Sequence, residues 1–552
     1  MKKIRYIILL CVAGSFFLQG CSDSFLDESA KDKNFADNTF TDLNGFKTAK
    51  YAMLNTVRDE RREPIQSAEL GVIWKIGTDV AWANTELSWT RGLNQYTKAD
   101  LTPTMQFLNG DVTDPSGRPG IFLILYRCIN TANMVINRAE NSNVDWLGKN
   151  EEENLANKNE MIAHARLMRA WCYRHLAMTF GPVPINDVEI TGENFRDDWR
   201  RDPVEKVQEL IEEDLIFAEK YLPDYSTDVT VLTKPVAQHY LADLYLWQGR
   251  NKEAAEAAKR AVSNPNYKLI TKRYGVNKDQ PGCPFMDQFY DGNILPSEGN
   301  TEALWVLPNT PVDNVNGRYN NSMRRTWVSA YNNLGVAYTP EYGGRGLGRA
   351  SITAWVFSIY EPQDDRFSEY AVRKKYVDKN GRDIICDMDA SAMTTNNHKW
   401  ASTRKWDWTF DDPNRWGESY AYGDQTYLRI ADTYLLLAEA LYKTGNSSTT
   451  DGAAYYINLV RTRSNATPIT DSQVTLDFIL DERARELVTE EERRETLVRT
   501  GTLIERTRKY NPIAAGTRNG VPGIQDYHVL LPFPQTIIDT NTGFKLDQNE
   551  GY

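Results

Sequence analysis

The sequence predicts a mostly α-helical protein: a tetratricopeptide-like helical repeat scaffold that carries a large irregular, loop-rich second lobe. Two stretches, 234–266 and 427–465, each read as a helix pair with small residues at the seam. Further amphipathic helices flank them, whereas residues 267–424 are rich in Gly, Pro, Asn and aromatics. At 552 residues the chain exceeds what a single compact core holds, which favours a repeat array over one globule. The formal charge of −11, without long basic clusters, excludes a nucleic-acid partner.

The chain opens on "MKKIRYIILLCVAGSFFLQGC", a basic stretch followed by an apolar run too short to span a bilayer comfortably. We read residues 1–20 as a secretory signal. Leu18-Gln19-Gly20-Cys21 resembles a bacterial lipobox, with Gln19 larger than the usual small residue, which makes Cys21 the expected lipidation site. The polar, acidic residues 21–40 then form a tether.

From 41 to 266 the pattern is helical. Residues 120–140 and 159–179 read as long helices, and Pro203 opens another at the favoured first-turn position. In 234–266, Ala242, Gly249, Ala254, Ala258 and Ala261 let two antiparallel helices approach closely, while Leu241 and Tyr245 fill the seam. Gln238 stands where such repeats carry an aromatic. Residues 267–424, punctuated by "DNVNGRYNN", "EYGGRGLG" and "DDPNRWGE", hold seven of the 14 Trp and form the second lobe. Residues 425–552 return to helix: Ala438, Leu441 and Gly445 repeat the first helix and turn, with "NSSTTDG" inserted before the second.

Catalysis has no positive signal. The five His residues make no H-x-x-x-H or H-E-x-x-H, no G-x-S-x-G occurs, and "EEERRE" at 490–495 reads as a solvated or structural ion network. Cys128, Cys172, Cys283 and Cys386 form no C-x-x-C, and Cys128 and Cys172 fall within helical apolar patterns. No metal or cofactor is expected.

Two aromatic pairs are the binding candidates. Trp82 and Trp89, seven apart, lie among Asp79, Asn84, Glu86 and Arg91, which would supply apolar faces and polar groups for a sugar. Seven residues is also two helical turns, so the same rings could enter a core. Trp327 and Tyr331, four apart, offer a second platform or an ordinary helical packing pair.

Four stretches resemble the SusD/RagB family of nutrient-binding outer-membrane lipoproteins: "EMIAHARLMRAWCYRHLAMTFGPVPI", "YLRIADTYLLLAEAL", "ILDERARELVTEEERRETLVRTG" and the closing "LLPFPQTIIDTNTGFKLDQNEGY", where Glu550 replaces the usual Pro. "GTDVAWANTELSWTRGLNQYT" resembles a segment that contributes to the family's ligand site. The resemblance implies a non-enzymatic, outer-membrane, lipid-anchored surface protein capping a SusC-like TonB-dependent barrel. It implies capture of an oligosaccharide or polysaccharide, or in some members a peptide. It also implies that the repeat face packs on the barrel while loops on the other side meet ligand. A glycan-degrading enzyme and a pure docking scaffold are the competing readings; the aromatic-rich lobe argues against the scaffold.

Overall fold

The computed structural model describes residues 39–552 except 62–69, 86–87, 111–119, 142, 310–320, 420 and 518–519. Cys21, the signal and most of the tether therefore lie outside the described residues. The principal helices are α1 (Leu43–Arg61), α2 (Ser88–Gln95), α3 (Ile121–Arg138), α4 (Glu151–Phe180), α5 (Val204–Tyr221), α6 (Lys234–Trp247), α7 (Asn251–Val262), α8 (Ile430–Lys443), α9 (Ala453–Arg463), α10 (Leu476–Leu487), α11 (Arg493–Arg499) and α12 (Leu503–Tyr510). Each long helix packs on its successor: α3 on α4, α4 on α5, α5 on α6, α6 on α7, then α7 on α8 and α8 on α9. This is the expected solenoid of helix pairs.

The seams form for the reason the small residues suggest. Ala242, Ala254, Ala257, Ala258 and Ala261 are fully buried, so backbones meet with no side chain between them. Gly249 takes φ +76° and Gly445 φ +84° at the two repeat turns, a region that costs an L-residue with a Cβ. Gln238, in the place of an aromatic, donates to Glu219 on α5 at 3.0 Å. Helix α4 begins at Glu151, well before the apolar pattern starts at Met161. Its start is set by capping: the Asn150 side chain accepts the Glu153 N–H at 2.8 Å, and three glutamates occupy the positive first turn. Gly181, at φ +76°, ends it at "FGPVP".

The lobe between the repeats is built from short ribbons, and it is stitched to the scaffold. Strand β1 (Ala81–Ala83) pairs antiparallel with β3 (Ala350–Ile352), and β2 (Ala303–Leu307) with β4 (Gln425–Arg429), which runs straight into α8. Four of its seven tryptophans, Trp305, Trp327, Trp400 and Trp406, are buried, whereas Trp355, Trp408 and Trp416 are half-buried.

Ions complete the join. Arg429 reaches Glu302, Glu486 and Glu490 at 2.9, 2.8 and 2.7 Å, and Arg366 reaches Asp364, Glu482 and Glu486 at 2.8, 2.7 and 3.2 Å, all of them buried. Glu490, Arg493 and Glu495 of the stretch 490–495 are buried in this interior network, where paired carboxylates offset the cost of burying the guanidinium groups. Cys128, Cys172, Cys283 and Cys386 are buried free thiols. No helix among the described residues is long and apolar enough to cross a membrane.

Candidate ligand-binding face

The described residues of 77–96, which are 77–85 and 88–96, form a folded strap rather than an open loop. Gly77 begins it at φ +69°, where a Cβ would stand 2.1 Å from the Leu93 carbonyl oxygen. The next turn is held from below: the Asn511 side chain donates to the Thr78 and Ala81 carbonyls at 2.8 and 3.1 Å. The Asp79 carboxylate accepts from Arg493 at 2.9 and 2.7 Å and from Arg506 at 2.8 Å. Burial alone would raise the Asp79 carboxyl, but Arg493 and Arg506 outweigh it and hold it below the ordinary carboxylate range.

This arrangement corrects part of the predicted platform. Asp79 and Trp82 are 0% exposed and Asn84 is 1% exposed, so none of the three faces ligand. The Trp82 ring meets Trp400 edge-on, centroids 5.8 Å apart, because pairing of β1 with β3 turns that side chain into the lobe interface. Asn84 is a fastener: it exchanges hydrogen bonds with the Asn397 backbone at 3.1 and 3.4 Å, and its carbonyl accepts from Asn396 N–H at 2.6 Å.

The second pair is corrected too. Trp327 ends a short helix (Met323–Trp327) and Tyr331 opens a separate 3-10 turn, so the two never share a helical face. Both are buried. Tyr331 stacks on Tyr376 at 4.9 Å and donates its hydroxyl to the Gly344 carbonyl at 2.6 Å, filling the lobe's own core.

Of the remaining candidates, Arg91 is 40% exposed and ion-pairs with Asp100 at 3.1 Å. Glu86 lies outside the described residues, and for Trp89 the structure describes the backbone, within α2.

What the strap does bring together is an amide-rich ledge. Asn84, by binding 396–397, holds the 394–399 loop against the end of β1. Opposite, Asn333 Nδ2 lies 3.1 Å from His398 Nε2, and Asn332 donates to Asn333 at 3.2 Å. His398 Nδ1 is itself buried and has no hydrogen-bond partner among the described residues, so it is not a group the ledge presents to solvent. Tyr338, five residues beyond Asn333 in the chain and half-buried, packs edge-on against Tyr331 at 5.9 Å. The ledge offers donors, acceptors and an aromatic edge, the functional groups that hydroxyl-rich ligands need. Sequence reading passed over these residues, although the Asn pairs in "YNNLG" and "TTNNH" were a usable signal.

Two clefts lie elsewhere. One, of about 740 Å³, opens between α1 and the β2–β4 ribbon, with Tyr51, Asn55 and Tyr422 on its walls. The other, of about 810 Å³, lies between α3 and residues 184–199. Among the described residues no cluster of His, Cys, Asp or Glu could hold a metal ion.

The fold is a helical-repeat scaffold with an aromatic-rich lobe stitched to it. The chain belongs to the SusD family: the model described as "SusD family" matches residues 248–552, and one described as "Starch-binding associating with outer membrane" matches 77–246. It is 24% identical over 461 residues to SusD-like protein P2 of Formosa agariphila, covering 77% of this chain and 79% of that one. To the starch-binding protein SusD of Bacteroides thetaiotaomicron it is 36% identical over 135 residues, 24% of this chain and 22% of that one. Among solved structures it superposes on surface glycan-binding protein A from B. thetaiotaomicron in complex with laminarihexaose. That match has a TM-score of 0.68 and 18% identity, and covers 92% of this chain and all of the other. A laminarin-binding SusD-like protein aligns at TM-score 0.66 and 20% identity, over 92% and 99% of the two chains. Three of these four are named for binding starch, glycan or laminarin, and none is named for catalysis.

Proposed function

We propose that this chain is a non-enzymatic outer-membrane surface lipoprotein. In this reading it binds a nutrient oligosaccharide or polysaccharide and delivers it to a SusC-like TonB-dependent transporter. Family membership along 77–552 carries the reading, and glycan-binding names among the relatives supply the ligand class. Cys21 holds the lipid anchor, with the body outside the cell.

Ligand meets the ledge formed by Asn333, Asn396, His398 and Tyr338, with Trp89, Glu86 and Arg91 contributed from the strap. A pyranose ring presents an apolar C–H face and an equatorial belt of hydroxyls, so a flat ring beside planar amides matches both. The ledge stands on the buried Asp79–Arg493–Arg506 ion triad and the Trp82–Trp400 contact, so little ordering remains to be done on binding.

A glycan panel tests the proposal: the chain from Ser22 onward should be retarded in native gels containing at least one polysaccharide. Trp89→Ala and His398→Ala should each reduce that retardation with little change in stability. Retention of peptides with no response to any glycan would replace the ligand class, and release of sugar from the gel polysaccharide would replace binding by hydrolysis.

A further inference from the structure

The cleft of about 810 Å³ beside α3 has a different chemistry from the ledge. Phe122 and Tyr126 from α3, Phe195 and Trp199 from the 184–199 loop, and Ile537 line it. Its amides are already spent on holding the loop. Asn130 exchanges hydrogen bonds with Ile190 at 2.7 and 3.3 Å, and Asn541 with Trp199 at 2.8 and 2.9 Å. What faces the opening is therefore mostly apolar, and Phe195, 74% exposed at its edge, extends that apolar lining to the surface. Two arginines, Arg127 and Arg196, stand at the rim, above a loop whose Glu189 and Asp198 are already paired with Arg138 and Arg196. Arg127 is exposed with no carboxylate partner among the described residues, and Arg196 lies 4.7 Å over the Trp199 ring, shared with Asp198.

We propose that the chain's own tether, through Phe25 and Leu26, docks in this cleft. In "SDSFLDES", Phe25 and Leu26 are flanked by Asp23, Asp27 and Glu28, an apolar pair in an acidic setting that complements an apolar floor with an arginine rim. The described chain also starts at the right place. The Phe40 ring faces the Arg138 guanidinium at the end of α3, and Arg138 forms a forked ion pair with Glu189 of the same loop that walls the cleft. From Arg138 back to Tyr126 is 12 residues of helix, about 18 Å. A linker of 14 residues, the spacing from Leu26 to Phe40, would span roughly 20 Å root-mean-square if it behaved as a random coil. An intramolecular site is occupied best when linker span and site separation match, so weak contacts suffice. Cys21 lies four residues from Phe25, within about 14 Å of the cleft, so docking would turn the α3 face toward the membrane.

The inference rests on residues 22–38 being retained in the mature chain, as the Cys21 anchor requires. It is tested on the chain from Ser22 onward, with p-benzoylphenylalanine at position 25. Irradiation should give intramolecular cross-links concentrated in peptides 122–131 and 184–199. The surface substitutions Arg127→Glu and Phe195→Ser together should cut their yield at least about fivefold, the effect of roughly 1 kcal/mol of lost contact. Cross-links scattered over the surface, or insensitive to that pair, overturn the proposal. Palmitate incorporation that disappears in Cys21→Ser reads the anchor separately, and its absence in the unsubstituted chain would sink the anchor without touching the cross-link result.

Discussion

Replacing Trp82 by Ala separates a core role from a ligand platform. The ring is 0% exposed and meets Trp400 edge-on at 5.8 Å across the joint between the N-terminal strap and the lobe. Truncating a buried Trp costs about 3–5 kcal/mol in lost transfer energy and cavity. One term works the other way: Trp82 Nε1 is buried without a hydrogen-bond partner, so removing it relieves about 1–3 kcal/mol of unmet desolvation. The expected net loss is about 2–3 kcal/mol, and Trp82→Phe, which keeps an aromatic ring and drops the N–H, should recover most of it. A chain of this size changes entropy by roughly 1 kcal/mol/K on melting, so the thermal shift is only about 2–3 °C. Urea denaturation followed by far-ultraviolet circular dichroism is the sharper assay, read as a lower midpoint at unchanged slope. Glycan retention measured under folding conditions should stay close to that of the unsubstituted chain. A midpoint within about 0.5 kcal/mol of the unsubstituted value, together with collapsed glycan retention, would refute the burial argument and return Trp82 to the surface.

Other outcomes follow from the charged interior. Asp79→Ala strands the buried Arg493, which retains only Glu491 at 3.3 Å, whereas Arg506 keeps Asp477 and Asp481; a loss of about 3 kcal/mol is expected by urea denaturation. Burial would raise the carboxyls of Glu439 and Glu482, but Arg499 beside the first and Arg366 beside the second pull both down to about 2. Because the folded values lie below the unfolded ones, this stability is complete above about pH 4.5 and drains as pH falls toward 2, which an acid titration of the urea midpoint would show. Arg499→Met should flatten that dependence by releasing the Glu439 carboxyl. At the ledge, Asn333→Ala should weaken glycan retention several-fold while leaving the urea midpoint within about 0.5 kcal/mol, since its side chain is exposed.

The helical scaffold was legible because its rules are local. Ala242, Gly249, Ala254, Ala258 and Ala261 declare a close-packed helix pair from within about 20 residues, and the structure packs α6 on α7 there. The onset of α4 was missed because it is set by the Asn150 cap rather than by an apolar face. The family resemblance was likewise written in contiguous motifs, and the matched family models confirm it.

The fate of "TDVAWANTELSWT" was not local. Asp79 is committed to Arg493, 414 residues away, and Asn84 to Asn397, 313 residues away. Trp82 is buried by a strand partner at 350–352 and a ring at 400. A polar neighbourhood reads as surface when each acid is counted alone, and it becomes interior once arginines from two distant helices, α11 and α12, supply the opposite charge. By itself the sequence determined the repeat scaffold and the family, since both rest on short-range spacing and contiguous motifs. The tertiary structure alone decided which aromatics are core and which amides form the ledge, because burial belongs to pairs of residues that only the folded chain brings together.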